Sequence, residues 1–409
     1  MEAAATLSPE YQRRTRHVVA ALGSPSVVLF LALFASQAGV LVLSPILSDV
    51  ARDFGVSISR AGQLRILAAP LAAAVALLAS RWLGRIDLRS LLLLGTALLG
   101  AGSLASAGAP SFATLALAQI PLWAGVAILI SAGVAAASRW SEPGDRGRVV
   151  AHALAGPPAA WIVGMPLVGL AAEESWRLAF LVLPLPASVL AGLAVAARPR
   201  DRRPHATQGE TSLTALFRRR SARRWALGEL FANSAWAGTL VFSGALLTEV
   251  HGASSFVTGI GLALVAVAYL LGNVWTGRHV ASRARRSMLE TSLAAGGAVA
   301  LTWAVTPGIV TTLVLFSIAA VFAASRTVAG TVHGFEVSRE HEASVGTIRA
   351  ATSQLGYLVG SLVGGLALAV GGFDALALAY GGLFLASVVP YLCFRKQCRL
   401  RGALLAAEA

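Results

Sequence analysis

Glu229, Asn233 and Trp236 recur at spacings of four and three, so on a helix they share one face about two turns long. A carboxylate, an amide and an indole on one face could bind and orient a polar or cationic amphiphile. Arg326 supplies an opposite charge, and it lies at a similar depth in its own apolar run. Glu229 and Arg326 are therefore expected to pair in one conformation and separate in another, with Glu229 as a proton carrier, because burial of an unpaired carboxylate favours its neutral form. A static salt bridge or a snorkelling arginine would satisfy the same pattern. Gln37, Gln119 and Trp123, and Gln354 with Tyr357, are further polar or amphipathic groups inside apolar runs, as interhelical hydrogen-bonding partners or cavity residues. Arg65 is expected either to pair with Asp49 or Asp53 as a latch or to snorkel. His152 reads as a satisfied structural histidine that could titrate near neutral pH. Glu290 reads as peripheral.

The elements that carry these residues are apolar. The 409 residues are 56% hydrophobic and 13% charged, with mean hydropathy +0.72. Soluble domains carry about 25% charged residues. A membrane span needs roughly 20 apolar residues, and twelve such runs fall near 26–48, 58–80, 89–108, 112–137, 149–172, 178–197, 224–248, 255–277, 287–305, 308–332, 347–370 and 374–394. Thirty-two of the thirty-three basic residues are arginine, and nearly all lie in alternate gaps and at the two ends of the chain. The opposite gaps hold Arg52, Arg60 and Arg177 beside Asp49, Asp53, Glu173, Glu174, Glu249 and Asp374. Cationic residues at span ends stay cytoplasmic, so both termini are expected in the cytoplasm.

The expected organisation is a 1–25 cytoplasmic tail, a 26–197 six-helix bundle, a 198–223 basic linker, a 224–394 six-helix bundle and a 395–409 tail. The Gly84-Arg85 and Ala284-Arg285 pairs each follow the second run of a half and lie 200 residues apart, which marks an internal repeat. The net charge of +14 does not point to nucleic acid, because the arginines sit at span ends without a stacking platform. Contact with anionic lipid accounts for it. Residues 1–25 lack a cleavage pattern, so the first run reads as an uncleaved span. Cys393 and Cys398 lie in a basic segment expected to be reducing, which argues against a disulfide or a metal. No cluster of His, Asp, Cys or Ser suggests a membrane enzyme, and no Walker motif suggests ATP hydrolysis.

Five stretches carry a resemblance to the major facilitator superfamily over about residues 26–395. They are Ser44–Ser57 with Arg60-Ala61-Gly62-Gln63; the two loops after the second and eighth runs, similar to the G-x-x-x-D-R-x-G-R-R motif; Gly156-Pro157 with Gly164-Met165-Pro166-Leu167-Val168-Gly169; Ser175-Trp176-Arg177-Leu178-Ala179-Phe180; and Gly346-Thr347-Ile348-Arg349 leading to Gln354-Leu355-Gly356, Gly360, Gly364 and Gly365. Within the family the pattern resembles the twelve-helix drug and sugar efflux group driven by proton antiport.

The resemblance implies an all-α membrane protein with two pseudo-symmetric six-helix bundles. It also implies a cavity lined by the first, fourth, seventh and tenth helices. Gln37, Gln119, Trp123, Asn233 and Trp236 fall on those helices, with Gln354 and Tyr357 extending the site. Gly156, Pro157, Gly164, Pro166, Gly360 and Gly364 fall where helices would approach and slide. The acidic positions of the two loops are Arg81 and Ala281, the first loop's starting glycine is Leu77, and the arginine position of the fourth helix is Pro121. Gating would then rely on other contacts. The implied activity is alternating-access export of a small organic molecule, without cofactor and powered by a proton gradient. The alternatives are proton symport, facilitated uptake, or a receptor of the same fold. The chain is expected to act as a monomer in the inner membrane.

Overall fold

The computed structural model describes residues 22–66, 70, 74–75, 87–140, 146–199, 219–279, 283–337 and 342–391. The N-terminal tail up to residue 21, Leu77, Arg81, Gly84, Arg85, Ala281, Cys393, Cys398, linker residues 200–218 and the C-terminal tail lie outside them. Among the described residues every regular element is helical: α1 (Pro25–Leu41), α2 (Leu43–Asp53), α3 (Ile58–Gly62), α4 (Leu88–Ala107), α5 (Phe112–Arg139), α6 (Arg146–Leu154), α7 (Gly156–Glu174), α8 (Trp176–Val182), α9 (Pro184–Ala197), α10 (Arg220–Ala245), α11 (Ser255–His279), α12 (Ala284–Ala304), α13 (Ile309–Val337) and α14 (Glu342–Ala386). A π-helical turn, Leu246–Val250, extends α10. Nine of the described helices are long and apolar enough to cross a membrane. Helices satisfy every backbone group internally, which a bilayer requires.

Prolines and hydroxyls set the boundaries. Pro25, Pro157 and Pro184 sit in the first turns of α1, α7 and α9, where a missing N–H costs nothing. The Oγ atoms of Ser57, Ser111 and Ser175 accept from the backbone N–H groups of Arg60, Thr114 and Arg177. Pro45 removes the donor for the Leu41 carbonyl, and the first span breaks between α1 and α2. The fifth and sixth spans, expected as continuous, are split at Ala155 and at Leu183. The Pro157-Pro158 pair and the Pro184/Pro186 pair are the cause. Gly372, at φ 66°, turns the chain between the last two helical segments of α14.

Helices before residue 200 pack mainly on one another, as do those after residue 219. The two groups meet through α2 on α10 and α7 on α11. Ser44 Oγ donates to the Leu240 carbonyl, Ser48 Oγ lies 2.7 Å from Thr248 Oγ1, and Ser255 Oγ donates to Asp49 at 2.8 Å. The Phe256 amide donates to Glu173 at 2.7 Å, and Ser59 Oγ donates to the Gly365 carbonyl at 2.6 Å. These contacts lie in the half of the helices away from Pro25 and Arg220. That end is closed. The apolar side chains facing outward, such as Leu193, Leu271, Leu366 and Leu378, match a lipid-facing surface.

Candidate functional site

Glu229 projects from α10 into the second group of helices and is 1% exposed. Its Oε1 accepts from Arg326 Nη1 at 2.6 Å, and Arg326 is 2% exposed. Its Oε2 accepts from Arg349 Nη1, also at 2.6 Å. Arg326 Nη2 donates to the Gly228 carbonyl at 3.3 Å, and Arg349 Nη1 reaches the Thr327 carbonyl at 3.3 Å. One carboxylate thus holds α10, α13 and α14 together through two guanidinium groups. Two cations on one anion leave the cluster with a net positive charge.

The surrounding backbone is shaped for it. Gly330 stands against the pair: a Cβ there would overlap Arg326 Nη1 and Glu229 Oε1. Trp225 Nε1 donates to the Gly330 carbonyl at 2.8 Å and fixes that turn of α13. The Arg349 side chain is 20% exposed and is the more accessible of the two cations. Loss of either partner of a buried pair leaves an uncompensated charge and costs about 3–5 kcal/mol.

Other polar groups proposed from the sequence take separate partners. Asn233 Nδ2 donates to Thr352 Oγ1 at 3.2 Å, and Trp236 stacks on Tyr269 at 5.6 Å and meets Phe316 edge-on. Gln37 Oε1 accepts from Trp161 Nε1 at 3.1 Å, joining α1 to α7. Gln119 does not face open space: it is fully buried, and Nε2 donates to Ser106 Oγ at 3.0 Å on α4. Gln354 is buried on α14. His152 is exposed and bonds the Arg148 carbonyl, and Glu290 is exposed and pairs with Arg286 at 2.6 Å.

Arg65 departs from expectation. Neither Asp49 nor Asp53 reaches it. Asp49 takes Arg52 at 3.2 Å and Ser255, and Asp53 takes Arg177 at 2.8 Å and Trp176 at 3.0 Å. Arg65 turns into the helix bundle instead, is 2% exposed, and donates from Nη2 to the Val40 carbonyl at 2.6 Å. Its guanidinium lies over Trp123 at 5.3 Å and Tyr357 at 4.8 Å. The two aspartates lie further along α2, toward the closed end, and are engaged there by nearer donors.

The packing residues divide. A Cβ at Gly156 would lie 2.6 Å from the Phe30 carbonyl oxygen, and one at Gly360 2.7 Å from the Gly238 amide nitrogen, so these two admit a neighbouring backbone. Gly164 faces the Leu183 side chain, and Gly364 faces Tyr380 and Phe242. Pro157 and Pro166 lie in α7, the latter beside Gly259. Arg349, Tyr269 and Gly330 were not singled out from sequence. Arg349 stood at the edge of a span read as starting at 347. The helix begins at Glu342, which sets Arg349 two turns inside. A groove of about 400 Å³ lined by Leu271, Gly272, Val274, Trp275, Arg278 and Val321 lies on the outward face of α11 and α13, apart from these groups.

Residues 29–331 match the model of the Major Facilitator Superfamily. No curated relative matches the sequence. Among solved structures, the chain is similar to a bacterial homologue of the human lysosomal transporter Spinster. In its inward-facing, unoccupied conformation the TM-score is 0.71 at 17% identity, over 92% of this chain and 95% of that one. In the inward-facing, occupied conformation it is 0.71 at 16%, over 90% and 94%. A D-xylose-proton symporter gives 0.70 at 16%, over 90% and 96%. These likenesses show a shared fold.

Proposed function

The chain belongs to the major facilitator superfamily, and from that membership we propose that this transporter exports a small organic molecule in exchange for protons by alternating access. It is a multi-pass membrane transporter and not an enzyme. The finer reading takes twelve spans in two six-helix bundles, with both termini in the cytoplasm and the closed end facing outward. Export rests on Gly156-Pro157 and the glycines that follow in α7.

The observation that carries the proton coupling is the buried Glu229 shared by Arg326 and Arg349 at 2.6 Å each. A proton on Glu229 removes the negative charge that the two guanidinium groups share. They would then repel each other, loosening α13 and α14 from α10. Proton loss restores the clasp. Substrate would enter between the two helical groups, past Asn233 and Trp236, with Gln37, Tyr357 and Gln354 as further lining.

The test is transport by proteoliposomes with an imposed pH gradient. Glu229→Gln should abolish gradient-driven accumulation while leaving substrate exchange without a gradient within about tenfold. Gradient-driven transport at the wild-type rate by Glu229→Gln would remove Glu229 as the proton carrier. Movement of substrate in the same direction as protons would reassign the protein to symport.

A further inference from the structure

The charge balance in the membrane interior points to the chemistry of the substrate. Among the described residues, the fully buried charged side chains are Arg65, Glu229 and Arg326. Arg349 brings the interior guanidinium groups to three, two of them at Glu229. Three cations therefore face one carboxylate. Glu229 is fully engaged by Arg326 and Arg349, and no carboxylate among the described residues pairs with Arg65. Isolated buried charges are costly, so they are found paired. The compensation for Arg65 must come from elsewhere.

The local geometry shows room in the chemistry. Arg65 uses Nη2 on the Val40 carbonyl, near the middle of the first span, and its buried Nε has no hydrogen-bond partner. The indole Nε1 of Trp123, whose ring stacks beneath the guanidinium, is also buried and unpartnered. Two unfilled donors therefore sit at one place. An Arg fork offers two parallel N–H groups matched to a carboxylate. Tyr357, half-buried, closes the other side of the guanidinium. Further along the same interior lie Trp236 and Tyr269, stacked at 5.6 Å and both half-buried. Apolar rings between cationic anchors suit a flat apolar body with a negative end. A cationic amphiphile, which Glu229 alone would invite, finds no free carboxylate here.

We infer that the transported substrate is an organic anion with an aromatic or amphipathic body, its anionic group held by Arg65 beside Trp123. This rests on the transport reading and narrows its substrate class. The anchor lies toward the closed end of the path, because the α2–α10 bonds of Ser44 and Ser48 lie just beyond Val40. An anion bound there touches both groups at once, through Arg65 and Trp123 on one and Tyr357 on the other.

The test compares three probes with one ring system: naphthalene-2-carboxylate, naphthalene-2-carboxamide and 2-naphthylmethylamine. Binding to the full chain in lipid nanodiscs is measured by tryptophan fluorescence and by thermal shift, and flux is measured in proteoliposomes. The carboxylate should bind at least about tenfold tighter than the amide, as a charge-assisted bond to a buried donor allows, and the amine weakest. Arg65→Gln should erase the preference for carboxylate over amide, and Arg65→Lys should retain part of it. Equal binding of all three probes to the wild-type protein, or preference for the amine, would overturn the inference whether or not the variants fold. Flux of the amide or amine at rates above the carboxylate would overturn it too while leaving transport intact. Carboxylate-selective binding without flux would support the anion site and count against transport.

Discussion

A single methyl group at Gly330 tests the buried cluster without changing any charge. The Cβ of Gly330→Ala would overlap Arg326 Nη1 and Glu229 Oε1 and would stand 3.1 Å from Glu229 Cδ. Trp225, bonded to the Gly330 carbonyl at 2.8 Å, prevents that turn of α13 from backing away. The Arg326–Glu229 contact must therefore lengthen. Overpacking of a tight interior costs about 1–3 kcal/mol, and a weakened charge-assisted hydrogen bond adds about 1.5–3 kcal/mol. Because Arg349 can still hold Oε2, the sum should fall near the lower end, about 2.5–4 kcal/mol. The assay is denaturation of the purified protein in mixed micelles, with Gly297→Ala as the control: a Cβ at Gly297 meets nothing within 4 Å, so that change should be neutral or slightly stabilising. The decisive comparison is a double-mutant cycle with Glu229→Gln, whose loss already breaks the clasp. The Gly330→Ala cost should shrink by at least about 1 kcal/mol in that background. An equal cost in both backgrounds would show that Gly330 serves packing alone, and the argument that it makes room for the Glu229–Arg326 pair would fail.

Two further substitutions probe the ends of the helices. Gly244→Ala places a Cβ against the Ser44 carbonyl oxygen and 2.7 Å from its carbon, so α2 and α10 can no longer meet; cysteine labelling at Ser48 should rise at least tenfold and transport fall by a similar factor, whereas unchanged labelling would mean that this crossing is not the gate. Asp53→Asn removes an ion pair with Arg177 whose side chains are 35% and 42% exposed; screened pairs of this kind contribute about 1 kcal/mol or less, so flux should stay within about twofold and a larger loss would assign this corner a role in gating.

That the chain is helical and crosses a membrane was legible because a bilayer accepts few solutions, and composition alone reports which one a chain uses. The caps and breaks were legible only in part. The runs 149–172 and 178–197 give no sign of the breaks at Ala155 and Leu183 beside Pro157-Pro158 and Pro184. At the candidate site, matched depth was enough to bring Glu229 and Arg326 together on paper, because parallel helices of similar length put equal depths at equal heights. Depth says nothing of rotation about the helix axis. Arg65 was consequently assigned to the nearest carboxylates along the chain, while its helix presents it to Val40, Trp123 and Tyr357. Gln119 takes the interhelical alternative, since Ser106 on the preceding helix accepts from its amide. Arg349 was missed through an error of five residues in one helix start, which moved a half-buried cation to the membrane edge.

Ser48 and Thr248, whose hydroxyls meet at 2.7 Å, are separated by 200 residues, and so are Ser44 and Gly244 at the same crossing. That number is also the offset between the repeated loop motifs. Each residue here therefore touches its own counterpart, which is the geometry of a two-fold axis between identical subunits. A half-length chain could close this end by pairing with a copy of itself. In such a dimer every change is made twice, and two serines at position 44 would have to accommodate each other. Within one chain that constraint is absent: position 244 is glycine while position 44 keeps its hydroxyl, and the two backbones meet more closely than two serines would allow.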